Sequence, residues 1–216
     1  MARDNPKGAA ADAAEKALAA DAKATAAMAP YEDSPWLEPL ADLGDQPQLR
    51  TLSAAAIAAG LAAGRDTGWG PRLVRAGLRM LIAHQLATMA KNFIKYRIDR
   101  TRPRSHHRAG KDHKPKPGGN RAKEETSFPS GHAAGASAVA AAFAREFPEH
   151  RAAAAAAGTA LSVVQVPRCA HYPTDIAAGA AIGLAAEKAL AMVWPPSPAA
   201  QSAPIERELE LPPCGS

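Results

Sequence analysis

Long apolar segments separated by short breaks make up most of the chain after residue 50. These segments are longer than ordinary β-strands and alanine supplies most of their apolar positions, so helices are expected. Prolines and glycines mark the breaks. The pattern predicts five helices, over residues 51–64, 73–97, 132–147, 151–166 and about 173–194. The predicted fold class is therefore all-α: a compact, Ala-rich helical bundle of about five core helices.

The two ends of the chain lack this pattern. Residues 1–50 mix acidic and basic residues without the uninterrupted apolar core of an export signal, so no cleaved leader is expected. A loose tail or loose Ala-rich helix is predicted there, and a Pro-rich tail over residues 195–216. A chain of 216 residues is about the size of one domain. The expected organisation is a helical domain over residues 51–194 between disordered or loose tails.

The longest predicted helix carries a stripe of polar side chains. Large apolar residues such as Leu78, Met89 and Phe93 fall largely on its other faces. Lys95 lies near the end of the stripe. The stripe residues recur at roughly helical spacing: Arg72, Arg75, Arg79, Thr88, Lys91, Asn92 and Lys95.

Positive charge is concentrated in one segment, residues 97–123. It holds ten Lys/Arg against two Asp, a local charge of +8, whereas the rest of the chain has sixteen against nineteen Asp/Glu, or −3. Its glycines, prolines and histidines predict a mobile loop and no helix. A solvated loop is the simplest interpretation, but its position between two candidate motifs favours contact with an anionic substrate. Nucleic acid is not expected as a partner because stacking aromatic residues are absent from the segment.

Three short motifs carry the candidate chemistry, and the first is KYRIDRTRP, residues 95–103. Lys95 in the last turn of a helix and Arg102 in the exit can bind separate oxygens of one phosphate. The alternative is a surface helix end whose cations favour the helix dipole.

The second motif is FPSGH, residues 128–132. Gly131 lets the backbone approach a ligand closely, and the following helix start has free N–H groups for an anion. Ser130 is equally suited to capping that helix, which is compatible with anion binding. His132 has an ordinary pKa near neutrality, so it can give a proton to a departing alkoxide.

The third motif is HYPTD, residues 171–175, with Pro173 suited to starting a helix. Asp175 can accept the N–H of one imidazole nitrogen of His171 and leave the other free to attack phosphorus. The alternative is an aspartate that stabilises its own helix terminus and a histidine that packs against Tyr172.

The order and spacing of these motifs resemble the type-2 phosphatidic acid phosphatase and vanadium haloperoxidase superfamily. Lys95, Arg102 and Pro103 match its first motif, residues 129–132 its second, and His171 and Asp175 part of its third. The resemblance covers residues 95–179.

The resemblance implies a role for each matching residue. His171 would attack phosphorus and form a phosphohistidine, Asp175 would orient it, and His132 would protonate the leaving oxygen and then activate water. The phosphoryl oxygens would be bound by Lys95, Arg102, Ser130 and Gly131. No metal is implied, and no Asp/Glu/His cluster with divalent-metal spacing lies near the motifs. The cysteines, Cys169 and Cys214, are too few for a disulfide framework.

The third motif of this chain departs from the family pattern, in which Ser-Arg precedes the histidine. This chain has Val164 and Gln165, and an amide brings no positive charge to a phosphate. Arg168 follows three residues later, which on a helix would keep it near the face of Gln165, although Pro167 intervenes. We hypothesise that Arg168 supplies the missing cation.

Membrane association is expected from the resemblance and opposed by the composition of the helices. A span needs about 20 mainly apolar residues. Residues 152–166 are apolar but short, and ionisable residues interrupt the other candidates: Arg75, Arg79, His84, Lys91, Glu187 and Lys188. Hydropathy therefore favours core helices of a soluble cytoplasmic or peripherally bound protein, whereas the resemblance implies the cytoplasmic membrane. If the helices insert, the basic segment should favour the cytoplasmic side.

Three function classes fit these features. A metal-independent phosphatase acting on a phosphomonoester, lipid or soluble, is favoured because only one motif arginine is missing. A vanadium-dependent haloperoxidase is the enzyme alternative; vanadate would be its cofactor on His171, whereas it would inhibit the phosphatase. The non-enzyme alternative is an anion- or membrane-binding protein with an impaired site, and Gln165 supports it.

Overall fold

The structure is a computed structural model that describes residues 6–201. This part of the chain is all-α, as predicted. Only a two-residue antiparallel pair, β1 (Ile98–Asp99) with β2 (Lys116–Pro117), is extended. Its nine helices are α1 (Pro6–Met28), α2 (Leu37–Asp42), α3 (Gln46–Ala63), α4 (Gly70–Lys95), α5 (Pro103–Ala109), α6 (Gly131–Glu146), α7 (Arg151–Val163), α8 (Pro173–Val193) and α9 (Pro198–Gln201).

The five predicted core helices correspond to α3, α4, α6, α7 and α8. The central helix is α6, which packs against each of the other four. Its buried positions are almost all alanine or glycine, so neighbouring backbones can approach it closely.

The contact between α6 and α8 depends on two glycines. A Cβ at Gly179 would lie 2.3 Å from the Ser130 carbonyl oxygen, and one at Gly183 would lie 2.3 Å from that of Ala134. No side chain fits at either position. The close approach brings the first turns of α6 and α8 together, and these turns carry His132 and Asp175.

Helix α4 buries its polar stripe and exposes apolar side chains. Arg79, His84 and Lys91 are buried, whereas Met89 and Phe93 are 60% and 62% exposed. Leu78, Ile82 and Leu86 continue this apolar outer face. A helix with its charges inside and its large apolar residues outside is unusual for a water-facing surface.

Helix α8 has the same arrangement. Asp175 and Glu187 are buried, and Leu184, Met192 and Val193 are exposed. Among residues 6–201, α8 is the one helix that is long and apolar enough to cross a membrane by length and composition.

The basic segment is more ordered than predicted. The expectation that residues 97–123 contain no helix is wrong, because α5 occupies Pro103–Ala109. Proline is favourable in a first helical turn, and Arg102 before it is extended. The backbone N–H of Arg104 also donates to the Cys169 carbonyl, which ties α5 to the loop before α8.

Residues 6–28 of the segment expected to be an N-terminal tail form helix α1, and this helix has fixed contacts. Asp21 of α1 is 1% exposed and its carboxylate lies 2.8 Å from the Arg100 guanidinium. Alanine-rich composition accounts for the helix but not for its docking, which depends on this distant arginine. Residues 202–216 of the predicted C-terminal tail lie outside the described residues, and the domain boundaries stay predictions.

Candidate active site

The three motifs meet around one cavity of about 610 Å³. The loop after α4, the start of α6 and the loop before α8 form most of it. Helix α2 and the turn that follows it supply a further wall, through Glu38 and Asp42 of the helix and Asp45 of the turn. Of the predicted site residues, seven line the cavity: Lys95, Arg102, Gly131, His132, Gln165, Arg168 and His171.

His171 and Asp175 form a buried pair at the floor of the cavity. The Nδ1 atom of His171 lies 3.7 Å from Oδ2 of Asp175, one helical turn away. The backbone N–H of His171 donates to the Gln165 carbonyl, which holds the loop that carries it. The two side chains are thus adjacent, but the predicted hydrogen bond between them is not formed at this distance, and Nδ1 of His171 has no hydrogen-bond partner among the described residues.

The carboxylate of Asp175 is held from several sides. Oδ2 accepts hydrogen bonds from the Tyr172 backbone N–H at 2.9 Å and from the Ser127 hydroxyl. Oδ1 accepts one from Arg100, which also binds Asp21. Asp175 therefore stabilises its own helix start, as the alternative interpretation expected, and faces His171 as well.

The environment of His171 keeps its imidazole neutral. Burial lowers the pKa of His171 to about 4, and the charges of Arg102 and Lys95 act in the same direction, whereas Asp175 opposes them. A neutral imidazole has a lone pair available for attack on an electrophile.

His132 lies in the first turn of α6, across the cavity. Its Nε2 atom is 2.7 Å from Oδ1 of Asp45. Ser130 caps the helix, because its hydroxyl oxygen accepts a hydrogen bond from the Ala133 backbone N–H. Ser130 is fully buried and, unlike Gly131, is not among the residues that line the cavity.

Three cations of the cavity, Lys91, Lys95 and Arg102, have no carboxylate partner among residues 6–201. Arg168 and Arg104 also line the cavity, but they are paired with carboxylates of Glu38 and of Glu32 and Asp33. Neither Lys91 nor Lys95 has an ion pair within residues 6–201, and Arg102 donates only to the Lys123 and Ala170 carbonyls. Burial, together with the charges of Arg102 and Lys91, lowers the pKa of Lys95 to about 7. Unpaired, partly desolvated cations around one cavity form a site for an anion.

Gln165 and Arg168 are adjacent, as the spacing suggested. Nη1 of Arg168 lies 3.4 Å from Oε1 of Gln165, and both residues line the cavity. Gln165 is fully buried and its Nε2 has no hydrogen-bond partner. Its amide therefore has a donor available for a bound oxyanion, with a guanidinium beside it.

Four residues of this site were not predicted from the sequence: Arg100, Ser127, Lys91 and Asp45. Lys91 lies one turn before Lys95 on the polar stripe, and that spacing was a usable signal. Arg100 and Ser127 lie within or next to the motifs but act through Asp175. Asp45 is about 87 residues before His132 in sequence, so no local pattern connects them.

A metal centre of protein ligands does not occur in the described part of the chain. Between residues 6 and 201 no three His, Cys, Asp or Glu side chains come together as a metal site. Metal independence stays a prediction.

The fold and the site are those of a family of phosphatases and related enzymes. The family model described as the PAP2 superfamily matches residues 76–196, which is more than half of the chain. The chain belongs to this superfamily, and the family predicted from the three motifs is confirmed.

Individual relatives match parts of the chain. Lipid A 1-phosphatases of Rhizobium etli and Rhizobium johnstonii are each 41% identical to it over 92 residues, or 43% of this chain. The match spans 39% and 37% of those relatives, about two fifths of their length.

A solved structure has the same fold. The transmembrane PAP2 type phosphatidylglycerolphosphate phosphatase of Bacillus subtilis superposes with a TM-score of 0.55. It is 21% identical, and the superposition covers 82% of this chain and 85% of that one.

Proposed function

We propose that this protein is a metal-independent phosphatase that hydrolyses a phosphomonoester through a phosphohistidine intermediate. The observation that carries the proposal is the position of His171. It is buried, neutral and adjacent to Asp175, and it lines a cavity in which Lys95 and Arg102 have no carboxylate partner among residues 6–201.

In the first step, the imidazole of His171 attacks phosphorus. A P–N bond forms, the P–O bond to the leaving group breaks, and His132 gives its proton to the departing oxygen. Asp175 stabilises the positive charge that develops on His171. Because Asp175 is already bound by Arg100 and Ser127, its carboxylate does not have to reorganise during this step.

In the second step, water attacks the phosphohistidine. His132, now neutral, accepts a proton from the water as the P–N bond breaks, and the product is inorganic phosphate. Both steps need His132 within reach of the same side of the phosphorus, and its place at the start of α6 beside the cavity is compatible with this.

The phosphoryl oxygens bind to the cations and N–H groups of the cavity. Lys95 and Arg102 bind from the α4 side, and the N–H groups at Gly131 bind from the start of α6. Arg168 and the free amide of Gln165 replace the arginine of the family motif. Ser130 acts here through the helix start that it caps, since its hydroxyl oxygen accepts from Ala133.

The substrate that we propose is a lipid phosphate, hydrolysed at a membrane. The matched relatives are named for lipid A, and α4 and α8 expose apolar faces of membrane-compatible kind. Lys95, which lines the cavity, lies at the end of α4 only two residues after the exposed Phe93. A headgroup can therefore reach His171 while the apolar faces contact hydrocarbon. The cytoplasmic membrane is the proposed location.

A comparison of two histidine variants tests the proposal. Purified protein is given a lipid phosphate and a chromogenic phosphomonoester with a chelator present. We expect turnover in the parent protein and inhibition of that turnover by orthovanadate. His171→Ala should abolish it, whereas His150→Ala, at an exposed position before α7, should retain it. A phosphorylated imidazole trapped by rapid acid-free quench should be absent from His171→Ala.

Other outcomes would point to the alternatives. Bromide oxidation by peroxide in the presence of vanadate would identify a haloperoxidase. Anion binding without turnover of any ester would identify a binding protein with an impaired site.

A further inference from the structure

The second histidine of the site has a carboxylate partner of its own. Asp45 Oδ1 lies 2.7 Å from His132 Nε2, and Asp45 has no other ion pair within residues 6–201. This contact joins α6 to a segment that precedes the family match, which begins at residue 76. The motifs of the family therefore do not include it.

The geometry of the α2–α3 turn directs Asp45 toward His132. Asp45 occupies the N-cap position of α3, where an aspartate normally accepts a hydrogen bond from its own helix. Here its side chain makes no such bond. A cap of this kind stabilises a helix by about 1 kcal/mol, so α3 forgoes that stabilisation while the carboxylate contacts the imidazole.

The preceding residue lets the turn come this close. A Cβ at Gly44 would lie 3.3 Å from Cδ2 of His132 and 3.5 Å from Cβ of Leu161. The first distance is tighter than nine in ten Cβ contacts, so the imidazole ring would have to shift by a few tenths of an ångström, whereas the second is an ordinary van der Waals contact. Glycine thus allows the backbone to pass against the imidazole ring and places Asp45 at its nitrogen.

We propose that Asp45 is a positioning residue that holds His132 toward the cavity and stabilises its protonated form for proton transfer to the leaving group. The proposal rests on the phosphatase function given above. It assigns the two histidines different protonation states in the first step: His171 reacts as the neutral nucleophile, and His132 reacts as the protonated acid.

The two carboxylates differ in a way that fits these states. The charge of Asp175 is shared with Arg100 and the Ser127 hydroxyl, so it only partly offsets the burial of His171. Among residues 6–201, Asp45 has no cation within ion-pair distance other than the His132 imidazole. An unshared carboxylate stabilises an imidazolium more than a shared one does.

Other charged groups around His132 act against Asp45. Burial lowers the pKa of His132, and Arg168 and Arg102 lower it further, whereas Asp45 raises it. Lys91 and Lys95 line the same cavity, and so do Glu38 and Asp42 on the wall that carries Asp45. Burial and the two arginines outweigh Asp45, so the pKa of His132 lies below its ordinary value, and without Asp45 it would lie lower still.

Replacement of Asp45 by asparagine tests the role through leaving-group dependence. For an alkyl phosphate, which needs a proton on departure, kcat/KM of Asp45→Asn should fall about tenfold or more with KM little changed. For a nitrophenyl phosphate, whose leaving group departs without a proton, the loss should be about threefold or less. The basic limb of the pH profile of kcat/KM should move about one unit to lower pH, because His132 without Asp45 loses its proton at a lower pH. The exposed Asp66→Asn, far from the cavity, is the control and should leave both profiles unchanged.

Titration of the His132 ring by NMR tests the pairing without catalysis. We expect the His132 signals, assigned with His132→Gln, to titrate at lower pH in Asp45→Asn than in the parent protein. Asp42→Asn removes the same charge from the same wall without the contact, and should shift the titration clearly less. An unchanged titration in Asp45→Asn would overturn the proposal, and so would an equal loss for both esters. If the parent protein hydrolyses no ester, the proposed function fails, while the NMR titration still decides whether Asp45 stabilises protonated His132.

Discussion

The two ends of α4 carry buried cations in opposite settings. At the N-terminal end, Arg72, Arg75 and Arg79 each have a glutamate partner: Glu149 at 2.9 Å, Glu146 at 3.0 Å and Glu187 at 3.2 Å. At the C-terminal end, Lys91 and Lys95 have no carboxylate within ion-pair distance in the described chain, and they line a cavity. The polar stripe of α4 thus has two parts. The N-terminal part is a closed ionic network with glutamates, and the C-terminal part is an open cationic site that faces a cavity.

The difference shows how one helix serves structure and chemistry. The closed network joins α4 to α6 and α8, and Trp194 lies 4.6 Å from the Arg75 guanidinium. The three glutamates there offset most of the positive charge of Arg72, Arg75, Arg79 and Arg145, so little charge remains for a ligand. At the other end, the missing negative charge is the charge that a phosphate would bring. Burial of unpaired cations costs stability and is explained if a substrate anion completes the site.

The largest effect should come from removing a cation at the open end. We expect Lys95→Met to reduce kcat/KM by about a thousandfold, because one charged donor to the phosphoryl oxygens is lost from the transition state. Its thermal stability should be equal to that of the parent or higher, since a buried unpaired charge is removed. Steady-state kinetics and thermal unfolding of the same samples measure both. A large fall in melting temperature would show that Lys95 has a structural role.

Removing a glutamate from the ion-paired N-terminal end of α4 should have the converse effect, a loss of stability without a loss of activity. Glu187→Ala leaves Arg79 and Arg145 without this partner, and we expect a loss of about 3 kcal/mol in the free energy of unfolding. The folded fraction should keep its kcat. Lys188→Ala is the matched control, at an exposed neighbouring position, and should change stability by less than about 0.5 kcal/mol. Equal destabilisation by both would contradict the assignment.

A smaller effect is expected from Arg168. Arg168→Ala should reduce kcat/KM about tenfold, because its guanidinium is partly exposed and shares the work with Gln165. Adding Gln165→Arg to that variant restores the cation at the family position and should recover most of the loss. Arg168→Ala with full activity would show that the chain works without a replacement for the motif arginine.

The smallest effect is a pH dependence of anion binding. Tungstate remains a dianion between pH 6 and 9, so a change in its affinity reports on the protein. The pKa of Lys95 is lowered to about 7, so Lys95 loses its proton as pH rises through this range. Tungstate should therefore bind several-fold more weakly at pH 9 than at pH 6, by calorimetry. Lys95→Arg keeps its charge and should show a clearly weaker dependence; an equal dependence in both would contradict the assignment.

Helices were predictable from local features. The apolar runs and the prolines and glycines between them indicated α3, α4, α6, α7 and α8 to within a few residues, because helix formation and termination depend mostly on nearby sequence. The direction of the α4 stripe was not predictable. Periodicity shows that Lys91 and Phe93 lie on different faces, but only the positions of α3, α6 and α8 decide which face is buried.

The site was predictable where the motifs are local. The spacing of Lys95 and Arg102, the helix start at Gly131 and the turn from His171 to Asp175 each place reactive groups within a short stretch. The proximity of Arg168 to Gln165 was also suggested by spacing, and the structure has them in contact. The presence of helix α5 in the basic segment was not predicted, because α5 is tied down by a hydrogen bond to Cys169, which is far away in sequence.

The apolar segments indicated an all-α fold, and the motif residues indicated a phosphoryl-transfer site and the family to which the chain belongs, because these features depend on residue type and short spacing. The tertiary structure decided which charges are paired, that Arg100 holds Asp175, and that the turn before α3 reaches His132. Those contacts join residues that are tens of positions apart, and they depend on how closely Gly44, Gly179 and Gly183 let the backbones approach.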